Sequence, residues 1–127
     1  MRLHHTAIFV SDLERSKAFF MRYFGASSNE MYHNPRTGLK TYILSFEGDA
    51  QLEIMYRPDI VYAEKAATQS GYIHMSFSVG SKEKVNSLTE ELRADNYRVA
   101  SEPRTTGDGF YESCVMDSEG NLIEITV

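Results

Sequence analysis

The chain has 127 residues, 42% of them hydrophobic and 24% charged, so it can bury a core and is not of the disordered type. Its formal charge of -5 argues against a nucleic-acid or anionic-membrane surface. The single cysteine, Cys114, excludes an internal disulfide and a cysteine-based zinc finger, and we interpret it as a small buried strand residue. No apolar run approaches the length of a signal peptide or a membrane span, so we expect a cytoplasmic protein.

The first part of the sequence, about residues 1–58, is predicted to fold as β-α-β-β-β. Residues 3–10 are typical of a strand because they combine β-branched and aromatic side chains. Asp12 can cap a helix at about 13–24, which Gly25 would end. Three further segments have extended character: 28–33, 39–46 and 51–56.

The same order recurs in about residues 71–127, after a connector at 59–70 with a short helix predicted near 62–68. A strand at 72–79 leads to a helix at 82–95 that Ser81 can cap. Three extended segments complete the second module: 97–103, 109–116 and 121–127. The pattern therefore predicts two β-α-β-β-β modules within one domain, 1–127.

The two modules repeat the same polar residues at equivalent strand positions. "LHHTAIFV" carries His5 and "YIHMSFSV" carries His74, and each histidine precedes a valine by five residues. "QLEI" and "LIEI" carry Glu53 and Glu124, each between two apolar residues. Because strand side chains alternate between faces, the apolar residues pack on the helix, and His and Glu point to the opposite face.

Two imidazoles and two carboxylates pointing to one cavity indicate a divalent metal site. An unpaired carboxylate is costly to bury, and a metal ion removes that cost. Taken singly, a strand histidine is more often structural and a strand glutamate more often faces solvent. The hypothesis therefore depends on the occurrence of all four residues together, one His and one Glu in each module. His4 is expected to face the other way from His5, and His33 to lie exposed in a loop beside the "NPRTG" turn.

Four segments resemble the vicinal oxygen chelate superfamily, which includes glyoxalase I, bleomycin-binding proteins and extradiol dioxygenases. They are "LHHTAIFVSDLERSKAFF", "QLEIMY", "YIHMSFSV" and "DSEGNLIEI", the last with Ser118 where the family commonly has proline. The resemblance covers essentially the whole chain. It implies an α+β fold in which two βαβββ modules form a U-shaped cup of mixed or antiparallel sheet with the helices outside. It also implies a homodimer whose sites are shared between modules.

The ligand pattern of His5, Glu53, His74 and Glu124 is most similar to that of glyoxalase I. The resemblance implies a metal-dependent lyase or isomerase acting on the hemithioacetal of a 2-oxoaldehyde and a thiol, or on a similar small vicinal-oxygen substrate. Zinc or nickel is the expected metal, with manganese, cobalt or iron as alternatives. Glu124 is expected to act as the base, with Glu53 as the alternative. The alternative functions are that of a fosfomycin-type thiol transferase and that of a non-enzymatic ligand-binding protein.

Three further residues are candidate substrate contacts. The segment "PRTTGDGFYES" (103–113) is predicted to be a substrate loop in which Arg104 binds a carboxylate or phosphate and Tyr111 lines the pocket. Arg36 in the "NPRTG" turn is a candidate of the same kind. Their alternative roles are surface charge for the arginines and packing for Tyr111.

Overall fold

The computed structural model describes residues 1–62, 68 and 70–127. The chain divides into two compact units, Met1–Ala63 and Glu64–Val127. The predicted short helix near 62–68 falls mainly on residues 63–67, which lie outside the described residues.

Unit 1 has the predicted β-α-β-β-β order, with one strand divided in two. Its elements are β1 (Thr6–Phe9), α1 (Leu13–Phe24), β2 (Ser27–Ser28), β3 (Tyr32–His33), β4 (Lys40–Ser45) and β5 (Gln51–Tyr56). The sheet order is β1-β5-β4-β2, and β3 also pairs with β4. β1 runs parallel to β5, and the other pairs are antiparallel. The loop prediction for His33 is wrong, because its backbone pairs with Lys40, although the residue is exposed as expected.

Unit 2 repeats this topology. Its elements are β6 (His74–Ser78), α2 (Lys82–Ala94), β7 (Val99–Thr105), β8 (Tyr111–Met116) and β9 (Leu122–Thr126). The sheet order is β6-β9-β8-β7, with β6 parallel to β9 and the other pairs antiparallel. The fold is therefore α+β with two βαβββ modules, as predicted. The predicted loop at 103–113 is wrong in part, because most of it belongs to the β7–β8 hairpin.

The local signals that predict the helices act as expected. Asp12 caps α1 by accepting a hydrogen bond from the backbone N–H of Arg15 at 2.9 Å. Gly25 ends α1 with φ of 64°, a left-handed conformation that glycine adopts without strain. Ser81 caps α2 through the N–H of Lys84 at 3.2 Å. These caps fix where each helix begins on the face of its sheet.

Each helix packs on one face of its own sheet. In unit 1, Phe19 and Phe20 of α1 are buried together with the strand residues Leu44, Leu52 and Ile54. Each such side chain contributes about 1.5–3 kcal/mol when it is removed from water. Because strand residues alternate, burying Leu52 and Ile54 under α1 turns the residue between them to the other face.

The core of unit 2 follows the same rule and includes a polar contact between α2 and β8. Val85 and Leu92 of α2 are buried, as are Ile123 and Ile125 of β9. Thr89 of α2 donates to the backbone carbonyl of Val85 at 2.6 Å, and its oxygen lies 2.7 Å from the hydroxyl of Ser113 in β8. Among the described residues, no helix has the length and apolar character needed to span a membrane.

Candidate metal centre

A histidine and a glutamate of unit 1 face each other on the side of the sheet away from α1. His5 directly precedes β1, and Glu53 lies in β5 opposite Ala7 of β1. The His5 Nε2 atom is 3.7 Å from the Glu53 Oε2 atom, and the side chains are 39% and 23% exposed. Leu52 and Ile54 are buried on the helix side, so the sheet itself directs Glu53 toward His5.

Unit 2 contains the equivalent pair with nearly the same geometry. His74 begins β6, and Glu124 lies in β9 opposite Ser76 of β6. The His74 Nε2 atom is 3.5 Å from the Glu124 Oε2 atom, and the side chains are 38% and 18% exposed. The two pairs therefore agree in strand position, in the atoms that face each other, in spacing and in exposure.

The geometry of each pair suits two ligands of one metal ion. Both distances are longer than a good N–H···O hydrogen bond, which is about 2.7–3.2 Å. Two ligand atoms at about 2.1 Å from a tetrahedral zinc ion are about 3.4 Å apart, close to what is observed. Imidazole nitrogen and carboxylate oxygen are both suitable donors for zinc and nickel. The chemistry and spacing of the donors thus fit a divalent metal.

Each unit supplies only half of the predicted ligand set. Among residues 1–62, 68 and 70–127, no three His, Cys, Asp or Glu side chains come together as a metal-holding group. Within unit 1 the pair is His5 and Glu53, and within unit 2 it is His74 and Glu124. Each pair by itself therefore supplies two of the four predicted ligands.

The face of unit 2 around Glu124 is polar. The Ser76 hydroxyl donates to Glu124 Oε1 at 2.7 Å, and Cys114 stands opposite Glu124 on β8. Cys114 is a half-buried free thiol, and burial raises its pKa, so it stays protonated and is a poor nucleophile.

Burial also raises the pKa of Glu112, and the nearby Glu124 carboxylate raises it further. Sequence reasoning missed Glu112, although alternation in "YESC" places it on the same face as Cys114.

The corresponding face of unit 1 is more apolar. Glu53 stands between Ala7 of β1 and Ile43 of β4, where Glu124 has Ser76 and Cys114. These neighbours offer Glu53 no side-chain hydrogen-bond donor. The two pairs are alike in themselves and differ in what surrounds them.

Comparison with known proteins identifies the family. The family model of the glyoxalase/bleomycin resistance protein/dioxygenase superfamily matches residues 2–125. The chain belongs to this superfamily. The resemblance seen in the sequence is thereby confirmed.

Similar proteins cover 81–99% of the chain. The uncharacterized protein YwkD of Bacillus subtilis (strain 168) is 28% identical over 103 residues, which span 81% of this chain and 80% of YwkD. A glyoxalase family protein from Enterococcus faecalis is 21% identical with a TM-score of 0.80, covering 99% of this chain and 97% of that one. The trypanothione-dependent glyoxalase I of Leishmania major is 23% identical with a TM-score of 0.79, covering 99% and 86%. At these identities the two structures show a shared fold only.

In this superfamily member, His4 lies beside the candidate ligand His5. The two Nδ1 atoms are 2.8 Å apart, and the rings meet edge to face. The expectation that His4 faces away from His5 is therefore wrong. Both residues precede β1, which begins at Thr6, so the alternation rule does not apply to them.

The three candidate substrate residues lie in different places. Arg104 of β7 stands opposite Glu112 of β8 and donates to the Ser101 hydroxyl, on the face that carries Glu124. The Tyr111 hydroxyl donates to Asn86 Oδ1 of α2 at 2.8 Å, so Tyr111 lies on the helix side of the sheet. The structure therefore does not bring Tyr111 to the face of Glu124.

Arg36 is in unit 1, exposed, within the turn that follows β3. Its backbone N–H donates to Asn34 Oδ1 at 3.0 Å, which holds the turn. Its side chain adds a positive charge to the surface there.

Proposed function

We propose that this protein is a metal-dependent lyase or isomerase of the glyoxalase type. Its substrate would be the hemithioacetal of a small 2-oxoaldehyde and a thiol, or a similar small molecule with two neighbouring oxygens. The observation that carries the proposal is the pair of matching His–Glu contacts, at 3.7 Å and 3.5 Å, at equivalent positions of the two units. A shared role as metal ligands accounts for the recurrence of the pair with the same spacing and exposure.

The proposed ligands are His5, Glu53, His74 and Glu124. The bound ion, zinc or nickel in the first instance, would supply positive charge where the substrate oxygens become negative. The imidazoles of His5 and His74 would serve as ligands only, and the proton transfer would fall to a glutamate. Their half-exposed side chains leave the site open to a small substrate.

The reaction needs a base that moves one proton between two neighbouring carbons. A glutamate carboxylate would take the proton from the carbon that bears the sulfur and the hydroxyl and return it to the adjacent carbonyl carbon. The hydroxyl proton of the first carbon would pass to the carbonyl oxygen of the second, so that the first carbon becomes the thioester carbonyl. The electron pair of the broken C–H bond stays within the substrate, so no external oxidant or reductant is needed. Glu53 and Glu124 are the candidates for this role.

The surface of unit 2 offers a place for an anionic part of the substrate. Arg104 lies two strands away from Glu124 on the same face, across Glu112. A guanidinium there would bind a carboxylate or phosphate of the thiol or the aldehyde. In unit 1, Arg36 is proposed for the same role. Tyr111 is explained by its contact with α2.

A homodimer follows from the same reasoning. Each unit holds only one His and one Glu of the proposed set, and small proteins of the glyoxalase type often complete a site with modules of two subunits. We therefore expect two copies of the chain and two sites. We also keep the expectation of a cytoplasmic protein that binds neither nucleic acid nor membrane.

Metal content tests the proposal directly. Protein purified without chelators should contain about one divalent ion per chain, and Glu53→Ala and His74→Ala should lose it. His33→Ala is the matched control, because His33 is an exposed strand histidine outside both pairs. A chain that binds no divalent metal, or that keeps it equally well in all three variants, would contradict the proposal and favour a non-enzymatic binding protein.

Turnover separates the two enzymatic alternatives. The metal-loaded protein should convert methylglyoxal with one of several small thiols, and should leave fosfomycin intact with the same thiols. The glyoxalase assignment is favoured because Glu53 faces His5, and fosfomycin-type transferases usually have no carboxylate at that position. Epoxide opening without methylglyoxal turnover would reverse the assignment.

A further inference from the structure

His4 contacts the ring of His5, the candidate metal ligand of unit 1. The two Nδ1 atoms are 2.8 Å apart, which is a hydrogen-bond distance, and the rings meet edge to face with their centroids 5.1 Å apart. A hydrogen bond between two ring nitrogens needs a proton on one of them and a lone pair on the other. The contact therefore couples the tautomers of the two neutral rings.

The second ring nitrogen of His5 distinguishes the two possible arrangements. If His4 donates, His5 carries its proton on Nε2, the atom that lies 3.7 Å from Glu53 Oε2. That distance is too long for an N–H···O hydrogen bond, so Glu53 would not accept the proton. If His5 donates, its proton is on Nδ1, and Nε2 presents a lone pair toward Glu53. Only in the second arrangement can Nε2 bind a metal ion.

We propose that His4 is a positioning residue that accepts the Nδ1 proton of His5 and thereby keeps His5 Nε2 available as a metal ligand. A hydrogen-bond partner on the other ring nitrogen fixes both the tautomer and the ring orientation of a ligating histidine. This inference rests on the proposed function, in which His5 is one of the ligands.

Unit 2 has a different kind of residue at the equivalent position. Ile73 directly precedes His74, as His4 directly precedes His5, and the side chain of isoleucine has no hydrogen-bonding atom. The two candidate ligands are otherwise alike, because each Nε2 atom lies 3.5–3.7 Å from a glutamate oxygen. The effect of His4 is therefore specific to His5, and His74 should not respond to its loss.

The tautomer of His5 tests the inference without any metal. Two-bond ¹H–¹⁵N spectra of the metal-free chain in mildly alkaline buffer, in which imidazoles are neutral, distinguish protonated from unprotonated ring nitrogens. His5, assigned by its absence from the His5→Ala spectrum, should have a protonated Nδ1 and an unprotonated Nε2. His4→Phe keeps an aromatic ring beside His5 but removes the acceptor, so His5 should shift toward the Nε2–H form. The His74 signals are the internal control and should stay unchanged.

Zn²⁺ affinity tests whether the contact supports a metal ligand. In competition with a chromophoric chelator, His4→Phe should bind Zn²⁺ about 10–100-fold more weakly than the unaltered chain. His4→Asn should recover most of the affinity, because its side-chain oxygen takes the place of Nδ1 and can accept the same proton. His33→Phe, which replaces an exposed histidine elsewhere in unit 1, is the matched control and should leave the affinity unchanged. In a His5→Ala background, His4→Phe should cause no further loss.

The possible failures are distinguishable. The inference is overturned if His5 has the Nε2–H form in the unaltered chain, if His4→Phe leaves its tautomer unchanged, or if His4→Phe binds Zn²⁺ as well as His33→Phe does. An equal loss in His4→Phe and His4→Asn, or a further loss in the His5→Ala background, also overturns it, because His4 would then act otherwise than as a proton acceptor for His5. These results leave the proposed function intact. An unaltered chain that binds no Zn²⁺ overturns the proposed function and, with it, the role of His4 beside a metal ligand.

Discussion

The two units of this chain have the same topology and the same His–Glu pair, but they differ in the polarity around it. In unit 2, Glu124 has Ser76 and Cys114 as cross-strand neighbours, whereas in unit 1 Glu53 has Ala7 and Ile43. The His–Glu pair is therefore the part that the two units share. The positions beside each glutamate are the part in which they differ.

In each unit a tyrosine of the sheet donates a hydrogen bond to a residue of the helix, and the chemical type of the acceptor differs between the units. In unit 1 the Tyr42 hydroxyl donates to Glu14 of α1 at 2.6 Å, and the Lys17 ammonium lies 4.0 Å from the centre of the Tyr42 ring. In unit 2 the Tyr111 hydroxyl donates to Asn86 of α2, and Lys82 lies 4.9 Å from the ring centre. One tyrosine thus holds each helix, through a charged acceptor in unit 1 and a neutral one in unit 2.

The largest expected effect is a loss of Zn²⁺ affinity when the His–Glu pair shared by the two units is disrupted. If the two pairs are equivalent halves of one kind of metal centre, His5→Ala and His74→Ala should each lower Zn²⁺ affinity by a hundredfold or more. The reason is that each removes a direct ligand, which matters more than the loss of a supporting hydrogen bond, about 10–100-fold. Chelator competition measures both values. A variant that keeps full affinity while the other loses it would show that only one pair binds metal.

Core truncations compare the two helix–sheet interfaces. Phe20→Ala in α1 should lower the free energy of unfolding by about 3–5 kcal/mol, and Leu92→Ala in α2 by about 2–5 kcal/mol. Both side chains are fully buried, so each substitution leaves a cavity. Urea unfolding followed by circular dichroism gives the two values. A loss below 1 kcal/mol in either variant would contradict the packing described for that unit.

The buried polar residues of the two helices should respond in opposite directions. Thr89→Val in unit 2 leaves the buried Ser113 hydroxyl without its 2.7 Å partner and should cost about 1–3 kcal/mol. Adding Ser113→Ala should recover much of that loss. In unit 1, the buried Ser16 hydroxyl has no hydrogen-bond partner among the described residues. Ser16→Ala should therefore be neutral or stabilising, and equal destabilisation by Thr89→Val and Ser16→Ala would refute this comparison.

Much of the fold follows from local sequence signals. Asp12, Gly25 and Ser81 predict the ends of both helices because capping acts within a few residues. Alternation around Glu53 and Glu124 predicts their face because the period of a strand is local. The repeated order of strands and helix predicts the two modules, and the resemblance to a known superfamily implies the same fold.

The rest depends on which residues stand opposite each other across strands that are distant in sequence. The Ser76–Glu124 hydrogen bond needs the β6–β9 register, and the place of Tyr111 needs the docking of α2. No periodicity within a single segment contains that information. The expectation for His4 fails for a related reason, because the position where β1 begins depends on its pairing with β5.

The smallest expected effect separates the two tyrosine contacts by their pH dependence. Hydrogen bonds from Lys17 and then from Tyr42 hold the pKa of Glu14 below its ordinary value of 4.5. A depressed folded-state pKa contributes stability above the unfolded pKa, and that stability is lost as the pH falls through the folded-state value. Because Glu14 is largely solvent-exposed, the contribution is small, under about 1 kcal/mol.

Tyr42→Phe and Tyr111→Phe should each lower the free energy of unfolding by about 0.5–1.5 kcal/mol at pH 7. The cost of Tyr42→Phe should shrink on going from pH 7 to pH 3, because a protonated Glu14 accepts a weaker hydrogen bond than the carboxylate. The cost of Tyr111→Phe should stay constant, since Asn86 does not titrate. Urea unfolding of both variants and the unaltered chain at the two pH values measures the difference. A pH-independent cost in both variants would show that the charge on Glu14 adds nothing to the contact that holds α1.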